Sequence, residues 1–270
     1  MFAKMIYCCL PNKDDLEIDM QNKHPREIDN MNYQNDEEVD GVLSVFPSIY
    51  LRDDERRHLK FSREFIINYL LELSQKNFVN KYQDKLINFI TLSILEKNEL
   101  SNNTPVIRCE LVWQKSLFKN RVPTLEQFVY PIFIPELRAK WDKNYKQFEL
   151  IRTINKTTHI ARIISTYQLT QIPEREFYDK RTYFFDNGIF YYFSSSIPDN
   201  LFPPKTEPVR VCNYLGALII KEDNENFYID SFNQVDIKME IPEFLIVMSF
   251  PWKMKEFSDR LMELFNNVII

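Results

Sequence analysis

The sequence predicts one α+β domain running from about residue 50 to the C-terminus, preceded by an acidic tail. Three observations point there: an amphipathic helical stripe near residues 54–77, a succession of strand-like segments between residues 106 and 235, and a second apolar stripe after Pro242. Strands cluster between helices instead of alternating with them, the order of an antiparallel α+β unit.

The first helix is read from about Asp54 to Asn77. Leu59, Ile66, Tyr69, Leu70 and Leu73 fall on one face, charges occupy the rest, and Asp53 or Asp54 is placed to cap it. Residues 86–95 are long enough for a helix, but their β-branched content and alternation favour a strand. Val106–Trp113 is a clearer strand. Pro123 and Thr124 then open a helix that Pro131 and Pro135 break into short pieces ending near Trp141.

From Phe148 onward the pattern is β-rich. Ile160–Tyr167, Arg181–Phe185 and Ile189–Ser195 read as strands. Asp186-Asn187-Gly188 between two aromatic runs signals a two-residue hairpin, because a type I′ turn needs positive φ at both central positions. Val209–Ile220 and Phe227–Val235 add two strands joined by the polar turn 222–226. Trp252, Phe257, Leu261, Leu264 and Phe265 then form the stripe of a long final helix.

Composition excludes several functions. The chain has 270 residues and only three glycines, Gly41, Gly188 and Gly216, where average usage would give roughly 19. Neither a dinucleotide-binding nor a P-loop phosphate cradle can be assembled from them. Cys8, Cys9, Cys109 and Cys212 lack C-x-x-C spacing, and His24, His58 and His159 lie far apart, so neither a zinc module nor a metal hydrolase is supported. No cofactor is expected. No apolar run approaches the 18 residues of a membrane span, and the N-terminus is a poor secretory or transit signal, which points to a reducing, intracellular, cytoplasmic setting.

Residues 12–40 carry three basic and ten acidic side chains, a net −7, whereas residues 41–270 sum to +1. Residues 1–50 are therefore read as an acidic N-terminal extension that cannot bury enough to fold alone. They are expected to dock on the body of the protein or on a protein partner. Cys8 and Cys9, beside Phe2, Met5, Ile6 and Tyr7, are either acylation sites or part of a docked apolar plug. A body charge near zero with no basic stripe disfavours nucleic acid.

Five local strings in order resemble the START family, the lipid-transfer domain named for the steroidogenic acute regulatory protein. Leu137-Arg138-Ala139-Lys140-Trp141-Asp142 is similar to the family's R-x-x-W-D, and Arg175-Glu176-Phe177 stands where the family has R-D-F, with Arg181 six residues on. Val209-Arg210-Val211 followed by Asn213-Tyr214-Leu215-Gly216 resembles V-R-V-x-N-Y-x-G. Asp236 with Ile241-Pro242 resembles the D-x-G-G-x-I-P turn before the last helix. The resemblance covers about residues 55–270. It implies a helix-grip fold: a curved antiparallel sheet around a cavity, closed by the long C-terminal helix and holding one lipid of the sterol or phospholipid class.

On that reading Arg181, Tyr183, Tyr192, Asn213, Gln234, Phe250 and Trp252 are the candidate lipid-binding residues. The aromatics either line the cavity or simply fill a core. Arg181 stands where the family has a buried arginine paired with an acid, but the acidic position falls nearest to Ser165, so Arg181 finds another acceptor, faces solvent, or meets a lipid's polar head. Arg175 and Arg210 are read as structural. The family's glycine pair is replaced by Lys238 and Met239, so that turn must be built differently. Phe250 and Trp252, with Lys253 and Lys255, either touch a membrane transiently or pack beneath the helix.

Lipid binding or transfer by residues 51–270 is thus the leading function. The alternative is a structural or accessory subunit of a larger assembly, such as an organelle complex, that uses the fold as a scaffold and the tail as a docking arm. No histidine follows His159 in the strand region and no nucleophile–base pair is visible, so an enzyme is not expected. The deciding observation is a continuous cavity of several hundred Å³ against an interior filled by side chains.

Overall fold

The computed structural model describes residues 62–84, 90–95, 104–165, 173–197, 199, 203–204, 207–240 and 242–267. Expectations about the acidic extension, Cys8 and Cys9, the caps Asp53 and Asp54, and Leu59 fall outside these residues.

Helix α1 (Arg63–Ser74) is started by Ser62, whose extended backbone lets its hydroxyl accept from the Phe65 amide at 3.2 Å. Strands β1 (Val79–Asp84), β2 (Ile90–Leu95) and β3 (Val106–Gln114) follow. The ambiguous stretch 86–95 is thus a strand over its second half. Helix α2 (Leu125–Phe133) opens on a capping box between Thr124 and Gln127, as its Pro-Thr start foretells. Pro131 lies inside α2 without breaking it, contrary to expectation, and its carbonyl accepts from Trp141 Nε1 at 2.9 Å, tying α2 to α3 (Pro135–Trp141).

Seven further strands are β4 (Tyr145–Thr153), β5 (Thr158–Ser165), β6 (Arg175–Asp186), β7 (Ile189–Ser196), β8 (Val209–Arg210), β9 (Cys212–Glu222) and β10 (Asn226–Asp236). Helix α4 (Glu243–Asn267) ends the fold. The sheet order is β1-β2-β3-β10-β9-β7-β6-β5-β4, antiparallel along this path, with β8 parallel to β6 off it. The chain therefore forms the curved antiparallel sheet with a gripping C-terminal helix that the sequence implies. The β6–β7 turn takes the expected conformation, with Asn187 at φ 48° and Gly188 at φ 74°.

Three differences have physical causes. Strand β6 begins six residues earlier than hydrophobicity suggests, because its extension carries Arg175, Glu176, Asp179 and Lys180, all buried. The segment expected as one strand from Val209 splits at Val211, whose amide donates to the Glu176 carbonyl at 3.0 Å and steers β8 alongside β6. Strand β1 was not foreseen: it is an edge strand, and Val79 and Tyr82 are exposed.

The two faces of the sheet serve different cores. The outer face buries Phe184, Tyr191, Phe193, Leu215, Ala217 and Phe232 under Ile66, Leu70 and Leu73 of α1. The inner face, covered by α2 and α4, buries Trp113, Tyr183, Phe190, Ile220, Phe227 and Ile229 with Phe128, Phe133, Leu261 and Phe265.

Candidate functional site

Strand register divides the inner face into an aromatic half and a polar half. In the aromatic half, Phe128 of α2 stacks on Phe227 at 4.2 Å and on Phe265 of α4 at 5.7 Å, while Trp113 meets Phe128 edge-on at 5.1 Å. Phe133 lies 4.1 Å from Tyr183 and 5.2 Å from Phe190. Here the aromatics fill space with one another.

The polar half centres on Arg181, only 1% exposed. Its register partners are His159 on β5 and Ser194 on β7. Nε donates to Tyr192 Oη at 2.7 Å, and the guanidinium lies over Phe148 and Tyr192, 5.3 and 5.2 Å from their centroids. Nη1 has no hydrogen-bond partner among the described residues. Ser165 lies opposite Arg175, not Arg181, so the expected acidic position is displaced. The nearby carboxylate is instead Asp179, two residues along β6 and therefore on the same face.

Asp179 accepts from Asn213 Nδ2 at 2.7 Å and from Ser196 Oγ at 3.0 Å. Burial pushes its carboxyl up to about 6, against those hydrogen bonds and the charges of Arg181 and Arg210. Asn213 also donates to Ser194 Oγ at 3.2 Å, and its own Oδ1 is buried without a partner among the described residues. A Cβ at Gly216 would sit 2.5 Å from Ser194 Oγ, which explains a glycine in the N-Y-x-G string.

The R-x-x-W-D string builds an adjoining wall. Arg138 Nε donates to Asp142 Oδ2 at 3.0 Å, Nη1 donates to the Ile132 carbonyl, and the guanidinium covers Tyr145 at 4.7 Å. Arg175 is structural, as expected: Nε donates to the Ile237 carbonyl at 2.8 Å and Nη1 to the Pro173 carbonyl. It thereby holds the turn that lacks the glycine pair. Lys238 there adopts φ 58°, its amide and ammonium both donating to Asp236. Arg210 is also structural, with Nε and Nη2 donating to Glu176 Oε2 on the outer face.

The structure brings Arg181, Tyr183, Tyr192 and Asn213 together on the inner face. Gln234 is placed elsewhere: it shares the outer face with Phe232, pairs with Leu215, and donates to the Thr104 carbonyl at 2.7 Å. Phe250 is half-buried against the inner core, whereas Trp252 is 54% exposed. Lys253 and Lys255 are ion-paired within α4 to Glu256 and Asp259. Sequence reasoning missed Asp179, Ser194 and Ser196. The alternation of Arg175, Asp179 and Arg181 on one face of a strand was the signal that could have found Asp179.

Among the described residues no group of three or more His, Cys, Asp or Glu side chains could hold a metal ion, and no helix is long and apolar enough to cross a membrane. The sequence profile of the START domain matches residues 126–267. Human StAR-related lipid transfer protein 5 superposes with a TM-score of 0.62 at 20% identity, covering 76% of this chain and 94% of that one. Human STARD10 superposes with a TM-score of 0.59 at 12% identity, covering 76% and 79%. The human StarD13 lipid transfer and protein localization domain gives 0.51 at 15% identity, covering 81% and 98%. At these identities the likeness is one of fold. No curated protein matches the chain by sequence.

Proposed function

Because the chain belongs to the START domain family, we propose that it is a non-catalytic module that binds one lipid between sheet and C-terminal helix and exchanges it with membranes. The observation that carries this reading is the unfinished polar half of an otherwise apolar interior. Arg181 Nη1 and Asn213 Oδ1 are buried and unpartnered among the described residues. A lipid head group carrying both a donor and an acceptor would satisfy them, its hydrophobic part lying against Tyr192 and Tyr183. Making room requires α4 to move, and its own Met254 and Met262, half-buried against the inner core, are side chains that repack readily.

The membrane contact is assigned to the first half of α4. Phe244, Met248 and Trp252, spaced four residues apart, are 61%, 72% and 54% exposed, and Leu245 stands beside them. Trp252, not Phe250, is therefore the membrane-facing member of the pair. Since Lys253 and Lys255 are ion-paired within the helix, docking depends on apolar burial more than on anionic head groups. Residues 1–50 are assigned to a protein partner as a docking arm, and the protein to an intracellular, membrane-associated setting.

One observation favours the scaffold reading instead. Phe128 stacks on Phe227 and Phe265, and Phe133 on Phe190, so aromatic side chains occupy space between the sheet and the helices that a lipid would need. Native mass spectrometry with lipid extraction, joined to a transfer assay between vesicles, decides between them. Co-purified lipid and transfer support carriage. Neither would leave the scaffold.

A further inference from the structure

The turn between β10 and α4 is held by one buried side chain. Arg175, at the start of β6, donates through Nε to the Ile237 carbonyl at 2.8 Å and through Nη1 to the Pro173 carbonyl at 2.7 Å. Its third arm is different. Nη2 donates to Met239 Sδ at 3.9 Å, and a thioether sulfur is a weak acceptor. Met239 is one of the two residues that replace the family's glycine pair, and it is 43% exposed. The weakest of the three contacts is therefore made by the residue that solvent reaches.

Peroxide converts an exposed methionine to its sulfoxide. A sulfur lone pair attacks one peroxide oxygen, the O–O bond breaks, and the other oxygen leaves as water after taking up the proton. Sulfur gives up two electrons and the peroxide receives them. The new oxygen fits the space available. An S–O bond of about 1.5 Å and an N–H···O contact of about 2.9 Å together span the observed 3.9 Å when the angle at oxygen is about 120°. It can thus enter between Sδ and Nη2 with both atoms where they now stand. A guanidinium bonds more strongly to such an oxygen than to a thioether, because the donor is charged and the acceptor carries partial negative charge.

Met248 on α4 is more exposed still but makes no such bond among the described residues. We propose that Met239 is a reversible oxidation site whose sulfoxide accepts from Arg175 Nη2 and tightens the turn that carries α4. The oxidation and the clamp stand without lipid carriage. Only their consequence, a slower exchange of lipid past a more firmly held helix, rests on that reading.

The test uses the full chain labelled with nitrogen-15, treated with hydrogen peroxide and then with the two epimer-specific methionine sulfoxide reductases. Peptide mass spectrometry should find sulfoxide at Met239 and Met248 ahead of the half-buried Met254 and Met262. The Lys238 amide, which donates to Asp236 within the turn at 2.8 Å, should then exchange with solvent about fivefold more slowly. The reductases should restore the original rate. M239Q, whose side-chain carbonyl stands in for the sulfoxide oxygen, should exchange slowly without peroxide, and M239L should not respond to it. No lipid enters these measurements, so their outcome is separate from that of the transfer assay. Met239 left unoxidised, a Lys238 rate unchanged or faster after oxidation, or an equal slowing in M239L would overturn the proposal.

Discussion

Asn213 Nδ2 donates to Asp179 Oδ2 at 2.7 Å, joining β9 to β6 past the strand that separates them in the sheet. The bond passes over Ser194 of β7, which accepts from the same amide at 3.2 Å. Three strands are thus clamped on the inner face by one buried carboxylate and its donors.

The pH dependence of stability follows from that carboxylate. Burial raises the Asp179 carboxyl to about 6 in the folded protein, against about 3.9 in an unfolded chain. The folded state therefore holds the extra proton between these values, so this group's contribution is fully present below the lower one and is lost as pH rises through about 6. Unfolding measured by urea from pH 4 to 7 should show wild type losing stability relative to D179N as pH rises. A difference that is flat, or of opposite sign, contradicts the assignment.

Crowding at Gly216 gives a second expectation. An added methyl meets Ser194 Oγ at 2.5 Å, and turning the hydroxyl away sacrifices its bonds with Asn213 and the Gly216 carbonyl. G216A should cost about 1–3 kcal/mol. The double variant G216A/S194A should cost less than the sum of the single changes, which a double-mutant cycle measures.

The rebuilt turn before α4 is testable at Lys238. Its backbone is left-handed at φ 58°, a conformation costing a non-glycine residue roughly 1–2 kcal/mol, partly offset by the greater unfolded-state freedom of glycine. K238A and K238G both remove the ammonium–Asp236 contact. K238G should therefore be the more stable of the two by about 1 kcal/mol, read from thermal melts.

Replacing the buried cation separates stability from carriage. In R181M the charge and its unpartnered Nη1 disappear, and an apolar side chain is often tolerated in place of a buried ion. Lipid transfer between vesicles should fall about tenfold, the worth of one charge-assisted hydrogen bond, with little change in melting temperature. Undiminished transfer would remove Arg181 from the head-group site.

Membrane contact is tested at the exposed end of α4. W252A should lower partitioning onto vesicles about fivefold to tenfold without destabilising the fold, because the ring is 54% exposed. F250A should instead lower the melting temperature. Raising the anionic lipid content should change partitioning little, since Lys253 and Lys255 are ion-paired within the helix.

Much of the fold was legible because hydrophobic periodicity reports burial. Leu70 and Leu73 on α1, the Asn187-Gly188 turn and the Leu261-Leu264-Phe265 stripe all appear where their spacing places them. The candidate site was legible in part. Arg181, Tyr183, Tyr192 and Asn213 share the inner face, Asn213 because a bulge skips Tyr214 in β9, whereas Gln234 alternates with inward-facing Asn233 onto the outer face of Phe232. A bulge leaves no mark in a pattern of period two.

By itself the sequence determined the hairpin turn, the family strings and most elements, the edge strand β1 excepted, since these depend on neighbours a few residues apart. Tertiary structure alone decided that Asp179 rather than a residue near Ser165 accompanies Arg181, that aromatics occupy space between the sheet and the helices, and that Trp252 faces outward while Phe250 packs in. Those outcomes rest on strand register and helix packing between residues as distant as Asp179 and Asn213, or Phe128 and Phe265. Burial and charge are properties of that assembled environment, and no local stretch of sequence contains it.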